Sequence, residues 1–225
     1  MRRLSFYQTR KIIEEFTQSI VFHLAILAYK WGGLVGPPNK KLLKAIRYGW
    51  GNNAYSADEQ YLEEVLIKGI STKGVILECG TGLTTILLGL ICEKTQATLY
   101  SLENNYDWSA HVKKYLNRLK LNQVHVQLAP IKKFGEFDWY NFDETAMPSE
   151  IDLVVCDGPP ASTVGGRYGL MPLLGDRIAI GGIILVDDVN REDERLAIDK
   201  WGKNRNFNIE WRGTERRGFA ILTCV

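Results

Sequence analysis

The residues whose types and spacing could do chemistry are acids and glycines that follow short apolar runs. The first group is Glu78-Cys-Gly-Thr-Gly-Leu-Thr-Thr85, directly after Val75-Ile-Leu77. Gly80 and Gly82 permit positive φ and close backbone approach to a ligand. A lone Gly-x-Gly is also what an ordinary tight turn between strand and helix uses. Two details restrict the ligand. The third glycine of a dinucleotide fingerprint is replaced by Thr85, and Glu78 precedes the first glycine. A carboxylate there repels a pyrophosphate and favours an ammonium or sulfonium group.

A second acid, Glu103, ends the run Leu99-Tyr-Ser-Leu-Glu103. It lies about 20 residues past the turn, where an acid can accept hydrogen bonds from both ribose hydroxyls. S-adenosylmethionine has the ribose, the ammonium and the sulfonium, and no phosphate. The third group is Asp157 in Asp157-Gly-Pro-Pro160, with Asp187 and Asp188 in Val186-Asp-Asp-Val-Asn190. If the runs before them are parallel strands, these carboxylates line one crevice and repel one another unless something positive joins them. Mg²⁺ takes oxygen ligands and suits such a trio. The trio reads equally as a cofactor contact at Asp157 and a helix cap by the Asp pair.

The elements that position these residues alternate. Apolar strands are expected at 75–78, 97–103, 124–128, 151–156 and 182–186, with helices at 83–94, 108–121, 168–178 and 192–203. Continuously apolar strands alternating with helices imply an α/β, doubly wound parallel sheet covered on both faces. Runs 207–211 and 219–225 have no helix between them and imply an antiparallel C-terminal hairpin. A helix at 57–70 is expected to start from Ser56 as N-cap with Glu59 three residues on. Trp139, Tyr140 and Phe142 fall between strands three and four, as stacking groups or loop packing.

The chain has 225 residues and 45% apolar content, enough for one domain with an extension and a sizeable core. A net charge of +2 argues against a dedicated nucleic-acid binder. The charge is uneven, however. Residues 1–50 hold nine bases against two acids, a net +7, and the remainder is −5. Within that extension, Ile20–Tyr29 is apolar apart from His23. It is shorter than the about 20 residues a membrane span needs, and Gly32-Gly33 should break the helix. It reads as a helix packing on the domain or a second subunit, or as a basic amphipathic segment on an anionic membrane. No cleavable signal is apparent. Cys79, Cys92, Cys156 and Cys224 lack metal-knuckle spacing and read as reduced core thiols of a cytoplasmic protein. His23, His111 and His125 neighbour no other metal-ligand type.

Glu78-x-Gly-x-Gly-x-Thr-Thr85, followed by Ser101-Leu-Glu103 and Trp108, resembles the class I S-adenosylmethionine-dependent methyltransferases, over residues 50–225. The resemblance implies a Rossmann-like, seven-stranded, mostly parallel sheet whose last two strands form a hairpin; residues 1–50 lie outside it and read as an N-terminal helical extension. It implies that Glu78, Gly80 and Gly82 hold the methionine part and Glu103 the ribose. Ala129 and Pro130 lie near the adenine, and Thr81, Thr84, Thr85, Asn104, Ser56 and Asp157 complete the cofactor set. The stretch Trp50–Ser56 is expected to close over the cofactor. Asp157, Asp187 and Asp188 are similar to the metal ligands of metal-dependent O-methyltransferases of catechols and antibiotic sugars, which implies O-methylation of a small molecule with Mg²⁺. Gly158-Pro-Pro160 departs from the catechol enzymes, which carry a lysine there, so the general base is not identified: Asp157 or a group outside this motif could serve, and Arg167 is a poor base because it stays protonated. The alternatives are aminopropyl transfer, a non-catalytic scaffold, and methylation of a macromolecule docked on the basic N-terminus.

Overall fold

The computed structural model describes residues 6–51, 57–214 and 217–225. The chain divides into two compact units, residues 1–56 and 57–225. The first holds α1 (Phe6–Trp31) and α2 (Lys40–Trp50). α1 ends where the glycines predict, with Gly33 at φ 78°. Asn39 then caps α2, its Oδ1 accepting from Leu42 N at 3.0 Å. The two helices meet at Gly49, where a Cβ would come within 2.6 Å of Phe22 Cα. α1 is longer than the apolar run 20–29 implied. Its residues Gln8–Trp31 are long and apolar enough, by length and composition, to cross a membrane.

The second unit opens with α3 (Glu59–Ser71) and then alternates β1 (Val75–Cys79), α4 (Leu83–Thr95), β2 (Thr98–Glu103), α5 (Tyr106–Leu119) and β3 (Val124–Leu128). A small hairpin of β4 (Ile131–Phe134) and β5 (Phe137–Tyr140) follows. The chain continues through β6 (Ile151–Cys156), α6 (Leu170–Leu174), β7 (Ile178–Val186), α7 (Glu192–Gly202), β8 (Phe207–Gly213) and β9 (Gly218–Cys224). The main sheet has seven strands in the order β3-β2-β1-β6-β7-β9-β8. β9 runs antiparallel to both β7 and β8, and the other pairs are parallel. This is the Rossmann-like sheet and C-terminal hairpin that the alternation implied.

Strand alternation sends Leu77, Cys79, Val154, Cys156, Ile184 and Val186 to one face, where they pack with α6, α7, Trp139 and Tyr140. α4 is buried from Leu83 through Cys92 because α3 and α5 flank it. From β1 the chain winds outward to β2 and β3, and from β6 it winds the other way. The switch point therefore lies between the carboxyl ends of β1 and β6, where open α/β sheets bind ligands.

Several boundaries differ from the sequence-based expectations. α3 starts at Glu59 and is capped by Asp58, whose Oδ1 accepts from Gln60 N at 2.9 Å. Ser56, and with it most of the stretch expected to close over the cofactor, lies outside the described residues. α5 starts two residues earlier than expected, capped by Asn105. Of the helix expected at 168–178, only Leu170–Leu174 is α-helical, and Ile178 already begins β7. β7 reaches that far because its register slips against β6 between Ile151 and Leu153. The β4–β5 hairpin was not expected. Its Gly135-Glu136 turn, between paired Phe134 and Phe137, has glycine at positive φ, which a two-residue hairpin favours.

Candidate functional site

The glycine turn is held from three sides. Gly80 sits at φ 92° and donates its N–H to Leu102 O at 2.9 Å, tying the turn to β2. Thr81 N and Oγ1 both donate to Glu103 Oε2, at 3.0 and 2.6 Å. Gly82 N donates to Thr85 Oγ1 at 2.8 Å. Beneath the turn, Glu78 is fully buried. Its oxygens accept from Thr84 Oγ1 at 2.5 Å, Thr85 Oγ1 at 2.6 Å and Ser101 Oγ. Burial pushes its carboxyl up to about 7, against the three hydroxyls that favour the anion. Glu78 therefore braces the turn from below, where its carboxylate reaches no solvent. Thr84 and Thr85 are likewise spent on Glu78.

Glu103 is differently placed. Its Oε1 accepts from Asn105 N at 2.7 Å and its Oε2 carries the two Thr81 bonds, at the carboxyl end of β2. A carboxylate has about four acceptor sites, so one remains for a hydroxyl. Trp108 Nε1 donates to Thr81 O at 2.8 Å and fixes the other side of the turn. Half-buried Asn104 follows Glu103. Ala129 is buried and donates its N–H to Glu103 O at 2.7 Å, so the chain after β3 runs beside the end of β2. Pro130 is exposed there.

The strand-end acids converge as expected. Oxygens of Asp157, Asp187 and Asp188 all lie within 4.8 Å of one another. The cluster touches the glycine turn, since a Cβ on Gly80 would come 3.1 Å from Gly158 N. Burial and Asp187 push the Asp157 carboxyl well above its usual value, with Arg167 opposing. Burial and Asp188 push Asp187 up to about 6. Asp188 takes the left-handed conformation at φ 59°, which is uncommon for a residue with a Cβ and recurs at functional sites. The Asp pair does not cap α7: its N-cap is Arg191, with no side-chain cap bond.

Arg167, weighed in the sequence only as a poor base, has a role among the acids that sequence reasoning missed. It is wholly buried. Its Nη1 donates to Glu194 Oε1 at 2.6 Å, and its Nη2 donates to the Asp157 carbonyl at 2.7 Å. Nη2 also lies 3.6 Å from Asp157 Oδ1 and 3.4 Å from Asp188 Oδ2. Gly165 and Gly166, both at positive φ, bring it in; a Cβ on Gly166 would run into Glu194 Oε2. The glycine pair was the available signal. The protein thus supplies one positive charge to the acids itself. Arg191 adds a second at the rim, 2.8 Å from Asp188. Four carboxylates against two guanidiniums still leave the cluster acidic, and its three converging oxygen donors fit a hard divalent cation.

Trp139 and Tyr140 are fully buried core residues, not exposed stacking groups. The four cysteines are buried and unpaired. His111 stacks on Trp108 and His125 sits beside Tyr100.

Solved structures share this fold. An O-methyltransferase from Bacillus cereus in complex with S-adenosylhomocysteine is 14% identical with a TM-score of 0.59, covering 94% of this chain and 100% of that one. An S-adenosylhomocysteine-bound methyltransferase from Podospora anserina is 14% identical with a TM-score of 0.59, covering 100% and 99%. A methyltransferase from Geobacter sulfurreducens is 14% identical with a TM-score of 0.56, covering 89% and 95%. No curated protein matches the sequence. A family model described as a methyltransferase domain matches residues 77–189, half of the chain, from β1 through the strand-end acids. The chain belongs to this methyltransferase domain family, built on the class I S-adenosylmethionine-dependent fold.

Proposed function

We propose that this protein transfers the methyl group of S-adenosylmethionine to an oxygen of a small-molecule acceptor, with a divalent cation at Asp157, Asp187 and Asp188. The observation that carries this reading is the convergence of those three carboxylates within 4.8 Å, against the glycine turn. Glu103 offers its free acceptor site to the ribose, and Gly80 to Gly82 leave room for the methionine part. In the transfer, the O–CH₃ bond forms as the S–CH₃ bond breaks, and S-adenosylhomocysteine and a proton leave. Asp157, Asp187 and Asp188 would hold the cation, which would supply Lewis acidity that lowers the pKa of an acceptor hydroxyl. Asp157, or a group outside this cluster, is our candidate to take the proton. Without a cation, burial and Asp187 raise the Asp157 carboxyl well above the ordinary value.

Arg167 favours a second reading, in which the acids anchor its guanidinium and position the acceptor without a cation. One experiment separates the two. Calorimetry with S-adenosylmethionine and S-adenosylhomocysteine comes first; no binding to either at millimolar concentration overturns the cofactor assignment. Transfer of labelled methyl to phenol, catechol and sugar acceptors is then measured with Mg²⁺ or with chelator. Activity that needs Mg²⁺ in the wild type and is lost in Asp187→Asn supports the cation. Equal activity in chelator overturns it and leaves the anchor reading.

A further inference from the structure

α1 carries two apolar faces, and only one of them is covered. Phe22, Ala25, Ile26 and Tyr29 are buried. The other face bears Ile13, Phe16, Ile20, Leu24, Leu27 and Trp31, each between 45% and 87% exposed. At about 100° per residue, the two faces are centred on opposite sides of the helix. The exposed stripe runs about 27 Å along the axis at 1.5 Å per residue. Soluble proteins rarely leave so long an apolar patch uncovered.

The charges around the stripe identify what covers it. On the same helical wheel, Arg10 and Lys30 fall at its two borders. Glu14 and Glu15 fall toward the half that bears Phe22. No acid occurs from Phe16 through Ala57. A second copy of α1, in either orientation, would bring no acid to the seam to pair these bases. Phosphate headgroups supply the missing anions. A spanning helix fits poorly. Phe22 packs against Gly49 and Trp50 of α2, so lipid cannot surround α1. The uncharged stretch Phe16–Tyr29 is also shorter than the about 20 residues a span requires.

We infer that α1 docks the protein on an anionic lipid bilayer, lying in the interface with the stripe inserted and Arg10 and Lys30 at headgroup level. Trp31, at the end of the stripe, is a residue type that prefers that interface.

The test is co-sedimentation of the full chain with phosphatidylcholine vesicles, with and without phosphatidylglycerol. Wild type should partition at least about tenfold more strongly onto the anionic vesicles, and the preference should fall as salt is added. Phe16→Ser/Leu24→Ser/Leu27→Ser should weaken binding about tenfold or more. Arg10→Glu/Lys30→Glu should abolish the anionic preference. All substituted side chains are exposed, so both variants should keep the wild-type circular dichroism and melting temperature. The inference is overturned if wild type stays in the supernatant, or if the triple-serine variant sediments like wild type. It is also overturned if the stripe instead forms a dimer, broken by the serines, that ignores vesicles.

Discussion

Replacing Arg167 by Met leaves a nearly isosteric apolar side chain where a guanidinium contacts the carboxylates of Asp157, Asp188 and Glu194. Glu194 is then the most exposed to consequence. Its residue is 1% accessible, and its 2.6 Å bond to Arg167 is its main compensation, since the 3.6 Å contact to Arg191 is longer. Breaking a buried pair from one side typically costs about 3–5 kcal/mol, because the partner stays buried and charged. For a domain of this size, each kcal/mol is roughly 2–4 °C in melting temperature, so Arg167→Met should melt roughly 6–20 °C lower. The sum is a large part of a total stability of about 5–15 kcal/mol. The decisive measurement is a double-mutant cycle by urea unfolding. Arg167→Met/Glu194→Leu removes both charges and should recover at least half of the loss. If Arg167→Met alone shifts stability by less than about 1 kcal/mol, or if the double variant is additive, the guanidinium does not hold the acids together.

Glu78 titrates near 7 in the fold instead of 4.5, so the folded protein holds a proton that the unfolded chain has released. That stabilisation is complete below about pH 4.5 and is lost as pH rises to about 7, by about 3 kcal/mol at 1.36 kcal/mol per unit. Urea melts of Glu78→Gln across pH 5–8 should show a correspondingly flatter profile; a profile parallel to wild type would refute the assignment. Glu103→Gln should weaken S-adenosylhomocysteine binding tenfold or more by calorimetry, as losing a charged acceptor is worth about 1.5–3 kcal/mol. A change under twofold would remove Glu103 from the ribose site. Gly80→Ala combines a left-handed φ of 92° with a 3.1 Å approach to Gly158 N. It should cost about 1–3 kcal/mol in thermal melts and weaken cofactor binding, and a wild-type melt would refute the strain. Adding Mg²⁺ should raise the melting temperature of the wild type but not of Asp187→Asn, and equal shifts in both would exclude a cation at that cluster.

Local pattern made the glycine turn, the acids and most of the sheet legible. Apolar strands and amphipathic helices carry their periods in consecutive residues. Each site acid lies at or just past the carboxyl end of its strand, so strand direction alone predicts that Glu78, Glu103, Asp157, Asp187 and Asp188 gather at one end. The role of an acid within that gathering was not legible. Glu78 was expected to face the methionine part, yet three hydroxyls from two other segments claim it beneath the turn. The small hairpin was hidden for a related reason. Trp139 and Tyr140 read as loop aromatics because the core that buries them comes from β6, β7, α6 and α7.

Arg167 marks the boundary between the two kinds of information. In the sequence it is one arginine in a glycine-rich stretch, ten residues past Asp157 and 27 before Glu194. Its meaning depends on three chain segments meeting, and no period or motif encodes a meeting of that kind. The turn and the strand-end acids are consequences of short-range geometry, and the residue order dictates them. Which acid is spent on structure, and which cation neutralises the cluster, follows from long-range packing, because desolvation and Coulomb energies depend on what the fold brings within a few ångströms.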